Sequence, residues 1–456
     1  MEGEIISKEL IKPSSPTPPH NNIHNLSLLD QIVPPFFTPM VFYYPDLQNP
    51  NSISQTTQIL KQSLSSTLTR FYPFAGTIRD KLSISCDDEG VPFVVTKFQE
   101  NLSTFLRNPS PNADHSHVPA EYLVWNEPGP GDKVAVVQVN HYECGGIVLG
   151  LLVYHKVADG VLMAAFLKDW AATARGESKP GPGPSFDFQS LFPNNPAMHR
   201  DDHVFTVMRR YIKVGRLVLR RYVFDAASIS ALRAQMARED RPSRVEIVTA
   251  VMWKFFMTAC AAAKKDGDGP TTSLISHILN IRRKADPQLP EYSFGNLAWI
   301  GPASSPNEEP DRDLAKLFEK VRGAFRKVDS GFVKRMEGED GFSGYRKNLE
   351  STWSEFPEKA DYLTISSWCN FGLYSLDFGF GRPVWVTKCD KEIDMELPLL
   401  NVMWLMDTRE GDGVEVRLNL DKKYSEALDG IEELRDLAMI GPSPLDIAGL
   451  GSKLIG

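Results

Sequence analysis

In the stretch LLVYHKVADG, residues 151 to 160, an unbroken apolar run ends in His155, and Asp159 follows four residues later, just ahead of Gly160. An imidazole at the end of a buried strand, beside the positive end of a following helix, is disfavoured in its charged form. A neutral imidazole can act as a general base. Asp159 sits where a helix N-cap is wanted. A cap alone accounts for that residue, a part in catalysis would also account for it, and both readings stay open on this fragment.

A second stretch with chemical content is LTISSWCNFGLYSLDFGFGRPVWVTK, residues 363 to 388. Gly372, Gly379, Gly381 and Pro383 in an aromatic, strand-like setting predict a tight and buried bend. Asp-Phe-Gly at 377 to 379 is not a kinase signature here, because the chain has neither the Gly-rich loop nor the catalytic His-Arg-Asp that accompany it. Phosphate-loop, dinucleotide and nucleophile-elbow motifs are missing as well. His199 and His203 have the spacing of a metal pair, but they fall in a polar segment without the glutamate of a zincin helix, so a solvated loop is expected and no metal site. The five cysteines, Cys86, Cys144, Cys260, Cys369 and Cys389, stand singly, as free thiols in a reducing compartment do.

The elements that must position these residues are legible in part. Residues 133 to 155 read as two strands around ECGG, and the second is apolar on both faces, as in a covered sheet. Val161, Leu162, Ala165, Phe166 and Trp170 then recur at helical spacing until Gly176. Upstream, Leu60, Leu64, Leu68 and Phe71 predict a helix that breaks at Pro73 and Gly76. After a polar boundary near 175 to 205, RRYVF reads as a strand and DAASISALRAQMA as a helix. Ser243 and Glu246 form a capping box for the next helix. LLNVMWLMD and VEVRLNLD flank a hairpin turn. The mixture predicts an α/β protein with partly antiparallel sheets.

At 456 residues, two domains are the natural division. A net charge of −8 without long basic runs argues against nucleic acid or a membrane surface as partner. No signal peptide is visible, and no segment reads as a bilayer span of roughly 20 apolar residues, so a cytoplasmic protein is expected.

Taken together these blocks identify a family. His155-Lys156-Val157-Ala158-Asp159-Gly160 resembles the H-x-x-x-D motif of the plant BAHD acyl-CoA-dependent acyltransferases, and Asp377-Phe378-Gly379-Phe380-Gly381 resembles their D-F-G-W-G. RFYPFAG, ECGG, PSRVEIVTAVMWK, LNIRRKADPQLPEYSFGN and SSW are similar to further family blocks in the family's order, along nearly the whole chain. The leader SKELIKPSSPTPPHNNIHNLSLLDQI is most similar to the vinorine synthase-type subgroup, whose members acetylate alkaloid and terpenoid alcohols. Phe380 departs from the usual tryptophan, keeping the aromatic bulk and losing an N–H donor.

The resemblance implies two similar chloramphenicol-acetyltransferase-like domains, 1–200 and 221–456, joined by a crossover linker at 201–220, with a solvent channel between them. A strand from about 375–395 is expected to join the first domain. His155 is implied as the base, and Asp377 as a second catalytic candidate or a structural buttress. Asp159 is expected to pair with Arg282. Ser366 and Trp368 are implied as donors to the thioester oxyanion. The start of the capped helix, Ser243 and Arg244, is a candidate seat for coenzyme A phosphates, since helix N-termini bind anions. No permanent cofactor is implied. The expected partners are acetyl-CoA as co-substrate and a small hydrophobic alcohol, met by a monomer. An amine acceptor, a longer acyl-CoA, or a catalytically weak metabolite-binding member are the alternatives within the family, and a serine or cysteine hydrolase lacks an activated nucleophile.

Overall fold

The computed structural model describes residues 3–45, 52–109, 113–123, 128–178, 181–198, 207–236, 242–264, 271–357, 359–390 and 392–450. Two large mixed sheets organise the chain. The first has six strands in the order Glu4–Ile11, Val91–Phe98, Ala135–Tyr142, Ile147–Tyr154, Phe37–Tyr44 and Trp385–Thr387. Only the Val91–Phe98 and Ala135–Tyr142 pair is parallel.

The strand that leads to His155 is buried at every residue, and the period of two explains why. Leu149, Leu151 and Val153 pack with Leu60, Leu64, Leu68, Phe166 and Trp170 from helices Ile53–Arg70 and Gly160–Ala174. Val148 and Leu152 point the other way, into a cluster with Tyr43, Phe98 and Phe105. An apolar run covered on both sides leaves its chemistry to the residue just past its end.

The second sheet runs Ala298–Pro306, Thr272–Asn280, Asp361–Ser367, Asn401–Asp407, Val414–Asp421, Lys213–Phe224 and Ile393–Leu399, with the two-residue strand Met439–Ile440 also on Lys213–Phe224. One face is covered by helices Arg244–Ala262 and Leu314–Lys327 through Val248, Met252, Phe256, Leu317 and Val321. Ser366, Trp404, Arg417 and Arg221 lie directly opposite one another across four strands, so they share a face. That face meets Trp385, with the Arg221 and Arg417 guanidinium groups 5.2 and 5.7 Å from its ring centre and its indole N–H 3.2 Å from Glu415 Oε2.

Three expectations change. Lys213–Phe224 is a single strand of 12 residues, so ordered sheet begins inside the span assigned to the linker. Its mixed pattern hid this, because Arg221 on the face toward the other sheet and Arg216 and Arg220 on the helix-covered face interrupt the apolar alternation. Arg244–Ala262 is long and apolar enough to cross a membrane, contrary to the reading of the sequence. Its apolar residues are covered by the second sheet and its neighbouring helices, as in a core helix. The bend around Gly379 and Gly381 is tight but exposed. Both glycines have φ of 99°, and a Cβ at either would meet nothing within 4 Å, so they serve conformation rather than close packing.

Candidate active site

His155 follows the buried strand directly, and its main-chain N–H donates to Phe36 O at 2.8 Å. The Phe36 ring meets the imidazole edge-on at 5.1 Å while remaining 42% exposed. Burial lowers the imidazole pKa from its ordinary value, with Lys156 acting the same way, and the ring's own carbonyl, Asp159 and Asn296 oppose it. Of the two ring nitrogens, only Nδ1 is sealed from solvent without a partner. Burial thus favours the neutral imidazole, with Nδ1 as its sealed nitrogen.

Asp159 caps the helix Gly160–Ala174, accepting from the Leu162 N–H at 3.0 Å on Oδ1. The same carboxylate accepts both Arg282 terminal nitrogens, at 2.6 and 3.1 Å, and the Leu297 N–H at 3.0 Å. Four donors fill its lone pairs, so Asp159 has no acceptor left for the imidazole or a substrate. Arg282 is fully buried and also donates to Ser293 O and Gly295 O. Cap and ion pair are one device: the start of the helix in the first half is tied to the loop 282–297 in the second.

A second carboxylate does similar work nearby and was not recognised in the sequence. Asp30 is fully buried, and burial pushes its pKa up to about 6 against the pull of its hydrogen bonds. It accepts from Ser27 N–H and Oγ–H at 2.9 and 2.7 Å and from Asn296 N–H and Nδ2–H at 2.7 and 2.9 Å. Asn296 Nδ2 also donates to His155 O at 2.8 Å. Lys156 Nζ donates to Gln31 O at 2.7 Å. The capping box formed by Ser27 and Asp30 was the available signal, but its helix, Leu28–Gln31, is a single turn.

Ser366 is the penultimate residue of the strand Asp361–Ser367, and Trp368 follows that strand with its N–H on Leu405 O at 2.7 Å and its ring edge-on to Trp404 at 5.6 Å. The segment lies against the histidine corner. A Cβ on Gly160 would come within 2.6 Å of the Phe371 ring, so any larger residue there would have to displace that ring. The strand and the corner thus bring Ser366 and Trp368 to the same end of the molecule as His155.

Asp377 is elsewhere. Its Oδ1 accepts from the Gly379 and Gly381 N–H groups at 2.7 and 2.9 Å, and its carbonyl accepts from Arg175 at the far end of the helix that Asp159 caps. At about 1.5 Å per residue that helix separates it from Asp159 by some 20 Å. The neighbouring Phe380 packs on Tyr44, at the end of Phe37–Tyr44 opposite the one beside His155. The catalytic reading of Asp377 is corrected: its carboxylate holds its own loop.

At the expected phosphate seat, Ser243 and Arg244 are engaged by groups of the chain itself. Ser243 Oγ accepts from the Glu246 N–H at 3.2 Å, and the Glu246 carboxylate takes the Ser243 N–H and Arg322 Nε. Arg244 donates to Gly413 O, Asn370 Oδ1 and Asp407 Oδ1. The chain's own carboxylates occupy the place expected for an anion. His199 and His203 lie outside the described residues.

With this geometry in place, relatives can be compared. Residues 1–434 match the model of the Transferase family. Limonoid 7-O-acetyltransferase of Citrus sinensis is 39% identical over 98% of this chain and 100% of its own length. The chain belongs to the BAHD acyltransferases. Vinorine synthase of Rauvolfia serpentina is 34% identical, covering 91% of this chain and 93% of its own. The crystal structure of vinorine synthase superposes with a TM-score of 0.80 at 32% identity, over 97% of this chain and 99% of that one. TRI101 of F. sporotrichioides, complexed with Coenzyme A and T-2, shares the fold at a TM-score of 0.69 and 17% identity, over 92% of this chain and 99% of that one. The protein is thus a two-domain α/β enzyme, an acyl-CoA-dependent acetyltransferase of plant specialised metabolism.

Proposed function

We propose that this BAHD acyltransferase moves the acetyl group of acetyl-CoA to a hydroxyl of a terpenoid or alkaloid alcohol, with His155 as general base. The observation that carries the reading is the neutral imidazole at the strand-to-helix corner, one nitrogen sealed and the other not, on a loop clamped by the Asp159 and Arg282 pair. The similarity to limonoid 7-O-acetyltransferase favours a terpenoid acceptor, and similarity to vinorine synthase and stemmadenine O-acetyltransferase keeps alkaloid alcohols in the set to be screened.

In this reaction Nε2 takes the hydroxyl proton as the oxygen attacks the thioester carbon, a contribution of about a hundred- to ten-thousand-fold. Negative charge then develops on the thioester oxygen, where a preorganised donor is worth a hundred-fold or more, roughly. Ser366 Oγ–H and Trp368 Nε1–H are the donors on the neighbouring strand end. Collapse of the tetrahedral species expels the coenzyme A thiolate, which takes the proton back from the imidazolium. The acetyl group passes directly between substrates in a ternary complex. Burial raises the Cys86 and Cys369 thiols to about 12 and Cys260 well above the ordinary range, which leaves these three without the thiolate that an acyl-enzyme would require. Both substrates approach through a channel between the two sheets, and the enzyme acts as a cytoplasmic monomer.

The test is thiol release from acetyl-CoA across a panel of terpenoid, alkaloid and simple aromatic alcohols, with product identified by a gain of one acetyl mass. Release that depends on an alcohol, and that falls at least about a hundred-fold in a folded His155→Ala variant, is the expected result. Near wild-type turnover in that variant overturns the assignment of the base. Turnover confined to amines, or to longer acyl-CoA donors, overturns the substrate assignment alone.

A further inference from the structure

A general base needs its lone pair on the nitrogen that faces the substrate, and in neutral imidazole this depends on where the single proton sits. Two orphaned atoms bear on the question. His155 Nδ1 is buried without a hydrogen-bond partner, and so is Asn296 Oδ1. Buried polar atoms in folded proteins are nearly always paired, so two vacancies in one small site call for an explanation.

The amide of Asn296 has only one workable orientation. Its two Nδ2 hydrogens go to Asp30 Oδ1 at 2.9 Å and His155 O at 2.8 Å. Exchanging nitrogen and oxygen would set an acceptor against a carboxylate and a carbonyl. Asp30 cannot turn away, because it is itself held by Ser27 and by the Asn296 main-chain N–H. The oxygen is therefore fixed as an acceptor beside the residue whose carbonyl the same amide already binds. Asp159, the nearest carboxylate in sequence, is filled by Arg282, Leu162 and Leu297 and acts on the ring through its charge alone, with no free lone pair to accept its proton. Among the described residues Lys156 is the other charged neighbour acting on the imidazole, its ammonium reaching Gln31 O, and the competing acceptor is the carbonyl of His155 itself, which Asn296 Nδ2 already engages.

We infer that Asn296 Oδ1 accepts the Nδ1–H of His155 and thereby fixes the imidazole as the tautomer whose lone pair lies on Nε2. Asn296 is a positioning residue, and Asp30 is the anchor that orients it. Catalytic hydrogen bonds are often long in ligand-free geometry and tighten when substrate fills the site, which fits two orphans on residues already joined by the bond from Asn296 Nδ2 to His155 O. The role extends the proposed one of His155 and rests on it. It also gives buried Asp30 a purpose: a carboxylate kept at this depth orients the amide that orients the ring.

The decisive measurement is the nitrogen NMR spectrum of the full-length enzyme labelled with 15N-histidine, with the His155 signals identified by their loss in His155→Ala. The wild-type enzyme at neutral pH is expected to carry the His155 proton on Nδ1, whereas a proton on Nε2 overturns the inference without any variant being needed. In Asn296→Ala the proton is expected to move to Nε2. The expected kinetic counterpart is a fall in kcat of about 10- to 100-fold with KM for acetyl-CoA within about twofold, since the loss concerns the chemical step. The Asn296 bond favours the charged ring, so its removal shifts the acid limb of kcat/KM to lower pH. A purely structural Asn296 would lower the folded yield and leave the tautomer and the pH profile of the folded fraction unchanged, which overturns the inference. If His155→Ala keeps its activity, the base assignment falls while the wild-type spectrum still decides the pairing.

Discussion

Removing the Asp159 carboxylate while leaving Arg282 in place isolates the clamp that closes the histidine corner. In Asp159→Ala the fully buried guanidinium keeps Ser293 O, Gly295 O and a longer contact to Asn280 Oδ1, and loses the only carboxylate bonded to it among the described residues. Breaking a buried ion pair on one side costs about 3–5 kcal/mol. The helix Gly160–Ala174 also loses its N-cap acceptor, about 1 kcal/mol more. The sum, about 4–6 kcal/mol, is a large part of the roughly 5–15 kcal/mol that separates a folded domain from its unfolded chain. Urea unfolding followed by tryptophan fluorescence should therefore show a midpoint far below that of the wild type. The double variant Asp159→Ala/Arg282→Met removes the stranded charge and should recover about 2 kcal/mol or more relative to the single variant. A single variant within about 1 kcal/mol of wild type would refute the argument. So would a double variant less stable than the sum of the two singles, because the coupling would then have the wrong sign.

The pH dependence of kcat/KM tests the histidine itself. Burial lowers the His155 pKa, so the base stays deprotonated to more acidic pH than an ordinary histidine with its value near 6.5, and the acid limb should lie below that point. A limb above it would mean that the site stabilises the imidazolium. Asp377→Ala addresses the distant loop: loss of the two amide bonds to Gly379 and Gly381 should cost about 1–3 kcal/mol of stability. The folded fraction of that variant should keep kcat within about tenfold of wild type, whereas a loss on the scale of His155→Ala would return Asp377 to the catalytic group.

The sequence was most informative where one residue decides one local outcome. The strand ending at His155 showed itself as eight apolar residues, and the helix after Asp159 by spacing and cap, because burial on both faces and helical periodicity are local patterns. Asp30 and Asn296 were not legible as site residues. They are 266 positions apart, and only the pairing of the two halves makes them neighbours. Lys213–Phe224 was read as a strand only in its last residues, since Arg216, Arg220 and Arg221 fall on both of its faces and broke the expected alternation. Asp377 stood in a motif resembling a known one, and spacing along a chain says nothing of distance in space. The fold places it one helix length away.

The short strand Trp385–Thr387 completes the first sheet by pairing with Val41–Tyr43. Its register places Trp385 against Tyr43, 342 residues apart in the chain. On a ribosome adding about 5–20 residues per second, some 20 to 70 s pass between synthesis of the two. For that interval the nascent first sheet presents one edge of FTPMVFYY, an apolar strand paired with Ile147–Tyr154 on its other side alone. Such an edge is a template for pairing with another chain. Fragments that stop short of residue 385 should inherit the same open edge permanently, so the two halves of this enzyme are poor candidates for separate expression.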